Sequence, residues 1–192
     1  DVYKRQHEPG VAYIAVAGYK MNDFEPYIYK LTDFGKRWMR LDSDLPDDNF
    51  VRVVRADPER EGLLYAGSEG GLFVSFDDGD HWQSLNMNFP TVPITDLRVR
   101  QNTLIAATQG RGFWALDELT VIRQLNVNLS EKRLHVFKPK PSSLMRWGGR
   151  TAANEGKNPP SGVVFSYFLA EEFEGPLSID IRDTDGTVVR TY

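Results

Sequence analysis

The sequence predicts an all-β fold: a partial β-propeller of about 2.5–3 four-stranded antiparallel blades, followed by a truncated β-sandwich. Three observations carry this. Short apolar or alternating runs recur between turn residues, and no 3.6-residue helical pattern of useful length interrupts them. The turn signature Ser75-Phe76-Asp77-Asp78-Gly79-Asp80-His81-Trp82 has a weaker copy 44 residues earlier, Leu31-Thr32-Asp33-Phe34-Gly35-Lys36-Arg37-Trp38. A decayed copy follows 40 residues later, and near Thr120 the repeat stops. Several short strands at such a period are the mark of propeller blades.

Each fixed position of the signature has a physical job. The Asp carboxylate can accept N–H groups of its own turn, and the Gly can adopt φ > 0. The Ser hydroxyl can close the loop, and the Trp returns to pack between neighbouring sheets. The segment resembles the Asp-box of the bacterial-neuraminidase-repeat β-propellers, which marks a fold and says little about chemistry. Ser75, Asp77, Gly79 and Trp82, with Asp33, Gly35 and Trp38, are therefore read as architectural. In the third copy, Tyr65-Ala66-Gly67-Ser68-Glu69-Gly70 aligns without gaps on Ile105-Ala106-Ala107-Thr108-Gln109-Gly110, and Phe73–Asp77 on Phe113–Asp117. There Asp117 survives, while Leu119 and Ile122 replace the Gly and Trp.

In chain order, residues 1–6 resemble the translation of a sequencing adapter and are set aside from fold reasoning. Runs 11–17, 27–31 and 38–41 would be strands two to four of one blade. Runs 50–56, 63–67, 72–76 and 82–85 would complete a second, and 95–100, 103–108 and 112–116 would begin a third. Propeller blades thus span 7–119, the C-terminal part of a larger propeller. Residues 120–141 read as a connector ending in a Pro-flanked basic segment. Residues 142–192 open an immunoglobulin-like or fibronectin-III-like sandwich that stops mid-pattern, with strands at 163–169, 177–182 and 187–191. Asp183-Thr184-Asp185-Gly186 between the last two is a hairpin turn signal.

Composition narrows the function classes. The chain is 41% hydrophobic and 12% aromatic, with net charge −4. Charges are mixed along it, so no basic run invites nucleic acid. No apolar run approaches the roughly 18 residues that would span a bilayer. Cysteine is absent, which excludes disulfides and thiolate metal sites. His7, His81 and His135 show no metal-ligand spacing, so no metal and no cofactor are expected.

A longer series sharpens the resemblance. Gln109-Gly110-Arg111-Gly112-Phe113-Trp114-Ala115-Leu116-Asp117, Phe137-Lys138-Pro139, Gly156-Lys157-Asn158-Pro159-Pro160-Ser161-Gly162 and Ile181-Arg182-Asp183-Thr184-Asp185-Gly186 occur in that order. Over residues 10–192 this resembles the C-terminal part of large bacterial sortilin-like propeller proteins. Those are often labelled glycosyl hydrolases with neuraminidase repeats, and in them an immunoglobulin-like sandwich follows the propeller. The resemblance implies an exported protein: periplasmic, cell-surface or secreted. It also implies that the Asp-box turns face away from the ligand.

The opposite face is built by loops 18–26, 42–49, 68–71, 86–93 and 109–111. They carry Lys20, Asp23, Glu25, Asp47, Asp48, Glu69 and Arg111. A glycosidase needs two carboxylates about 5–10 Å apart, and Glu25, Asp47, Asp48 and Glu69 are the local candidates. Their plain alternative is solvated loop charge. Arg111 lies between Gly110 and Gly112, which lets its guanidinium project as a ligand-binding group for a carboxylate or sugar. Sialidases bring three arginines and a Tyr/Glu pair to their substrate, and this stretch shows no such set. Trp147 beside Gly148-Gly149 reads as a sugar platform or a junction residue, and Asn128-Leu129-Ser130 matches a glycosylation sequon. Three functions compete: a non-catalytic propeller binding a protein, peptide or glycan on its channel face; part of a sialidase-like or xyloglucanase-like glycoside hydrolase; and a purely structural surface module. The first is favoured, because fold alone does not carry chemistry.

Overall fold

A computed structural model describes residues 2–4, 8–125, 127–129, 131–142, 162–170 and 175–192. His7, Trp147, Ser161, the 148–161 stretch and Ser130 of the sequon lie outside the described residues. The regular structure is almost entirely β, in small antiparallel sheets.

Three sheets follow the chain in order. The first is β1 (Val2–Lys4), β2 (Ala12–Val16), β3 (Tyr27–Thr32) and β4 (Arg37–Arg40). The second is β5 (Val51–Ala56), β6 (Leu64–Ser68), β7 (Gly71–Ser75) and β8 (Gln83–Ser84). The third has three strands, β9 (Ile94–Arg100), β10 (Thr103–Thr108) and β11 (Phe113–Leu116). Every pairing joins strands that are consecutive in the chain. β1 comes from the adapter-like stretch, and its pairing with β2 gives the first sheet a fourth strand that runs 11–41 do not supply.

The middle sheet is buried on both faces, and side-chain alternation says how. Leu64, Ala66 and Phe73 face the first sheet and pack with Tyr13, Ile28, Leu41, Leu45 and Trp82. Leu63, Tyr65, Leu72 and Val74 face the third and pack with Ile94, Leu97 and Leu104. Every residue of β6 and β7 is buried. Each large aliphatic among them contributes about 1.5–3 kcal/mol by leaving water. Val51 and Val53 would share a face in a regular strand. A bulge between them shifts the phase, so Val51 joins the first cluster and Val53 the second. Gly67 sets the closeness of the second contact: a Cβ there would lie 2.5 Å from Ile94 and 2.7 Å from Val53.

The Asp-box of the middle sheet closes as its residues predict. The amide N–H of Gly79 donates to Ser75 Oγ at 2.9 Å, and Ser75 Oγ donates to Asp77 Oδ1 at 2.9 Å. Asp77 also accepts the His81 N–H at 2.9 Å. Gly79 holds φ 96°, and a Cβ there would meet Leu41 Cδ1 at 2.8 Å, so the position excludes a side chain twice over. Trp82 is 7% exposed and its indole N–H donates to the Leu41 carbonyl at 2.5 Å. A free position of the motif adds a second tie. The Asp78 carboxylate accepts from Tyr13 Oη on β2 and Lys30 Nζ on β3, locking the turn to the first sheet.

The other two copies close differently. In the first, Asp33 pairs with Arg37 at 3.1 Å on the surface, and Trp38 remains 57% exposed. Leu31 offers no hydroxyl to close the loop, and among the described residues no sheet covers the outer face of β4. In the third, cross-strand register corrects the ungapped alignment. Ser68 lies opposite Gly71 in the middle sheet, whereas Ala107 lies opposite Phe113 in the third. The β10–β11 loop is therefore one residue longer. The partner of Leu64 is Ser75 and the partner of Leu104 is Leu116, so Glu118, not Asp117, stands where Asp77 does. No Asp-box turn forms there. Instead α1 (Leu119–Gln124) buries Leu119 and Ile122, spaced i, i+3, against the second cluster.

The stretch expected to be a connector is fastened to α1. Gln124 Nε2 donates to the Lys138 carbonyl at 3.0 Å, and the Lys138 N–H returns to Gln124 Oε1 at 2.9 Å. Two hairpins follow: β12 (Leu134–Val136) pairs with β13 (Tyr167–Leu169), and β14 (Asp180–Arg182) with β15 (Val188–Thr191). The predicted turn joins the last pair, with Asp183 Oδ1 accepting the N–H groups of Asp185 and Thr187. Among the described residues no helix is long and apolar enough to cross a membrane.

Candidate functional site

The loops that join β2 to β3, β4 to β5 and β6 to β7 meet at one end of the first two sheets. A 3₁₀ turn over Tyr19–Met21, ended by Asn22 at φ 61°, brings Tyr19 forward. Its ring stacks on Phe50 with centroids 5.0 Å apart, and Phe24 leans on the same ring at 6.2 Å. Phe50 is buried, while Tyr19 and Phe24 are 40% and 46% exposed. A buried ring thus carries two aromatic faces into solvent.

Arg52 joins this platform because the β5 bulge changes the strand's phase at its position. Its guanidinium lies 4.9 Å from the Phe50 centroid and 5.6 Å from that of Tyr19. It also donates through Nε and Nη2 to Glu69 Oε2, at 2.9 and 2.7 Å. The Glu69 N–H is itself bonded to the Phe50 carbonyl at 3.1 Å, and Asn49 Oδ1 accepts the Gly70 N–H at 2.5 Å. Aromatics, guanidinium and carboxylate form one rigid group.

Of the four carboxylates singled out by sequence, only Glu69 belongs to that group. Glu25 sits 3.4 Å from Arg40, whose stronger bond is to Asp42 at 2.7 Å. That same Arg40 lies over the Tyr27 ring at 4.8 Å. Tyr27 donates its phenol to Asp23 at 2.9 Å, and the Asp23 carboxylate pushes the phenol pKa up to about 12. Asp47 and Asp48 are exposed, and among the described residues neither has a hydrogen-bonding partner. Arg111 is exposed on the 109–111 loop, between Gly110 at φ 87° and Gly112 at φ 70°. Its carbonyl accepts the Trp114 indole N–H at 3.2 Å, and Trp114 meets Phe89 edge-on at 5.1 Å. Among the described residues its guanidinium has no acidic partner.

Sequence reasoning missed Tyr19, Phe24, Phe50, Arg52 and Asn49. Aromatics inside loops 18–26 and 42–50 were the available signal, since a loop has no core of its own to bury them.

The far end of the sheets carries bonding of a different kind. Asp77 is pushed up by burial, but the His81 amide, the His81 ring and Ser75 outweigh this and hold its carboxyl below the usual range. His81, exposed and 2.6 Å from Asp77 through Nδ1, is held above its ordinary value by that hydrogen bond. Nearby, buried Asp57 accepts the Arg123 Nε–H at 3.0 Å and the Tyr65 phenol at 3.3 Å. Burial, then Asp57, raises the Tyr65 pKa. These carboxylates are saturated acceptors, the reverse of what a general acid needs. Among the described residues no three His, Asp or Glu gather as a metal site.

No family model matches the chain, and no curated protein does. Among solved structures, an ancestral GH74 enzyme aligns at 23% identity and TM-score 0.47 over 58% of this chain. The alignment spans 13% of that enzyme's chain.

Proposed function

We infer that the three sheets are consecutive blades of a β-propeller, that an immunoglobulin-like sandwich begins after residue 142, and that the loop end of the blades binds a ligand without catalysing a reaction. The ligand is a protein, peptide or glycan partner of an exported bacterial protein. The observation that supports this is the group Tyr19, Phe24, Phe50, Arg52 and Glu69. Exposed aromatic faces beside a guanidinium suit sugar rings and peptide side chains alike. A retaining or inverting glycosidase needs two carboxylates across one bond, one of them kept protonated in a poorly solvated site. Here Glu69 is ion-paired 2.7 Å from Arg52, and Asp47 and Asp48 are open to water.

The test is binding to arrays of polysaccharides and peptides by wild type and by Tyr19→Ala and Phe24→Ala. A ligand whose affinity falls at least about tenfold in either variant, with melting temperature unchanged, is the expected result. Cleavage of fluorogenic sialosides or β-glucosides that is abolished by Glu69→Gln or Asp48→Asn would establish the hydrolase instead.

A further inference from the structure

The third sheet has three strands where the other two have four, and beside its free edge lies a concavity of about 400 Å³ counting its open mouth. Leu85, Asn88 and Phe89 line one wall, Leu104 and Ala106 another, and Trp114 and Leu116 the side nearest the edge. The neighbouring sheet pair shows what such a place holds. Leu85 and Phe89 stand 44 residues after Leu41 and Leu45, which pack against Trp82, and Asn88 stands 44 after Asp44. Trp82 gives its indole N–H to the Leu41 carbonyl and its backbone N–H to Asp44 Oδ2. Around the concavity the matching acceptors are the Leu85 carbonyl and Asn88. Among the described residues nothing donates to that carbonyl. The residue at the Trp82 position in structural register is Arg123, which turns away to Asp57.

The strand edge is equally ready. The Thr108 N–H donates to the Gly112 carbonyl, so Trp114 and Leu116 bond toward β10, while Phe113 and Ala115 direct N–H and C=O outward. β11 is preceded by exposed Arg111 and followed by Asp117 and Glu118. A strand antiparallel to it would begin beside the two acids and end beside the arginine.

We propose that β11 is an acceptor for an extended peptide of a partner protein, added as a fourth strand. The peptide carries basic residues, then an aromatic anchor that enters the concavity, then an acidic residue. The site is continuous with the packing of the second sheet on the third, and it is independent of the loop-end platform. The chain itself contains a segment of this chemistry, Lys36-Arg37-Trp38-Met39-Arg40-Leu41-Asp42, whose Trp38 lies opposite Leu31, the first-sheet counterpart of Leu116.

The probe is a fluorescent synthetic peptide of that seven-residue sequence, titrated against the whole chain with binding read by anisotropy. Saturable binding is expected, weakened at least about tenfold by Trp38→Ala in the peptide. On the protein, Ala115→Pro removes an outward N–H that no internal bond uses, and Pro is tolerated on edge strands. It should weaken binding comparably while leaving the melting temperature unchanged. Equal binding by the Trp38→Ala peptide would overturn the proposal. So would an absence of binding, with or without dimers of the chain that the peptide fails to disperse; such dimers would give the edge to a second copy.

Discussion

Trp82 shows how much a single residue of the turn motif carries. It fills the space between the first two sheets, donates to Leu41, and depends on Gly79 keeping the turn close to that leucine. Trp82→Ala should lower unfolding free energy by about 3–5 kcal/mol, the range for removing a packed aromatic. Denaturant unfolding checks the number. Affinity of the folded variant at the loop end should be unchanged, and a selective loss of binding at unchanged stability would make Trp82 a ligand residue. Ser75, Asp77, Gly79 and Trp82 were legible in sequence because turn chemistry is local: each partner lies within a few residues. Asp78 was not legible. It occupies a free position of the motif, and its partners Tyr13 and Lys30 stand 65 and 48 residues away.

At the scale of elements, the strands were legible from their alternation, while single-residue changes of phase were not. The bulge between Val51 and Val53 re-aims one strand and places Arg52 beside Glu69; nothing in the run of valines announces it. One extra residue in the β10–β11 loop moves the third copy from Asp117 to Glu118. There the carboxylate accepts Asn102 Nδ2 at 2.6 Å and Lys140 Nζ at 2.8 Å, joining the third sheet to the strap after α1. Burial pushes the Glu118 carboxyl up, but Lys140, Thr120 and Asn102 outweigh it and hold the pKa at about 2. A depressed carboxylate contributes stability that is present above its unfolded value of 4.5 and lost as pH falls toward 2. The stability difference between wild type and Glu118→Gln should therefore be largest near neutrality and shrink across that window. Urea unfolding of both proteins at several pH values measures it. A difference independent of pH would mean that the Lys140 bridge contributes nothing.

At the scale of the whole molecule, the first three sheets pack as a stack whose middle member touches both neighbours. The repeat period and the alternating strands made that stack foreseeable. The loop end was less so, because its aromatics converge from three loops distant in sequence. Burial also ranks the sheets: β6 and β7 are covered at every residue, β4 is exposed along its whole length, and β11 keeps an open edge. Amide exchange follows local opening, so buried central strands should exchange slowest. Residue-resolved hydrogen exchange under native conditions therefore tests the stacked-repeat arrangement most directly. The arrangement predicts that the hydrogen-bonded amides of Leu64–Ser68 and Gly71–Ser75 exchange last, through global unfolding, and that Phe113 and Ala115 exchange among the first. Slowest exchange in the first or third sheet, or uniform rates across all three, would contradict it.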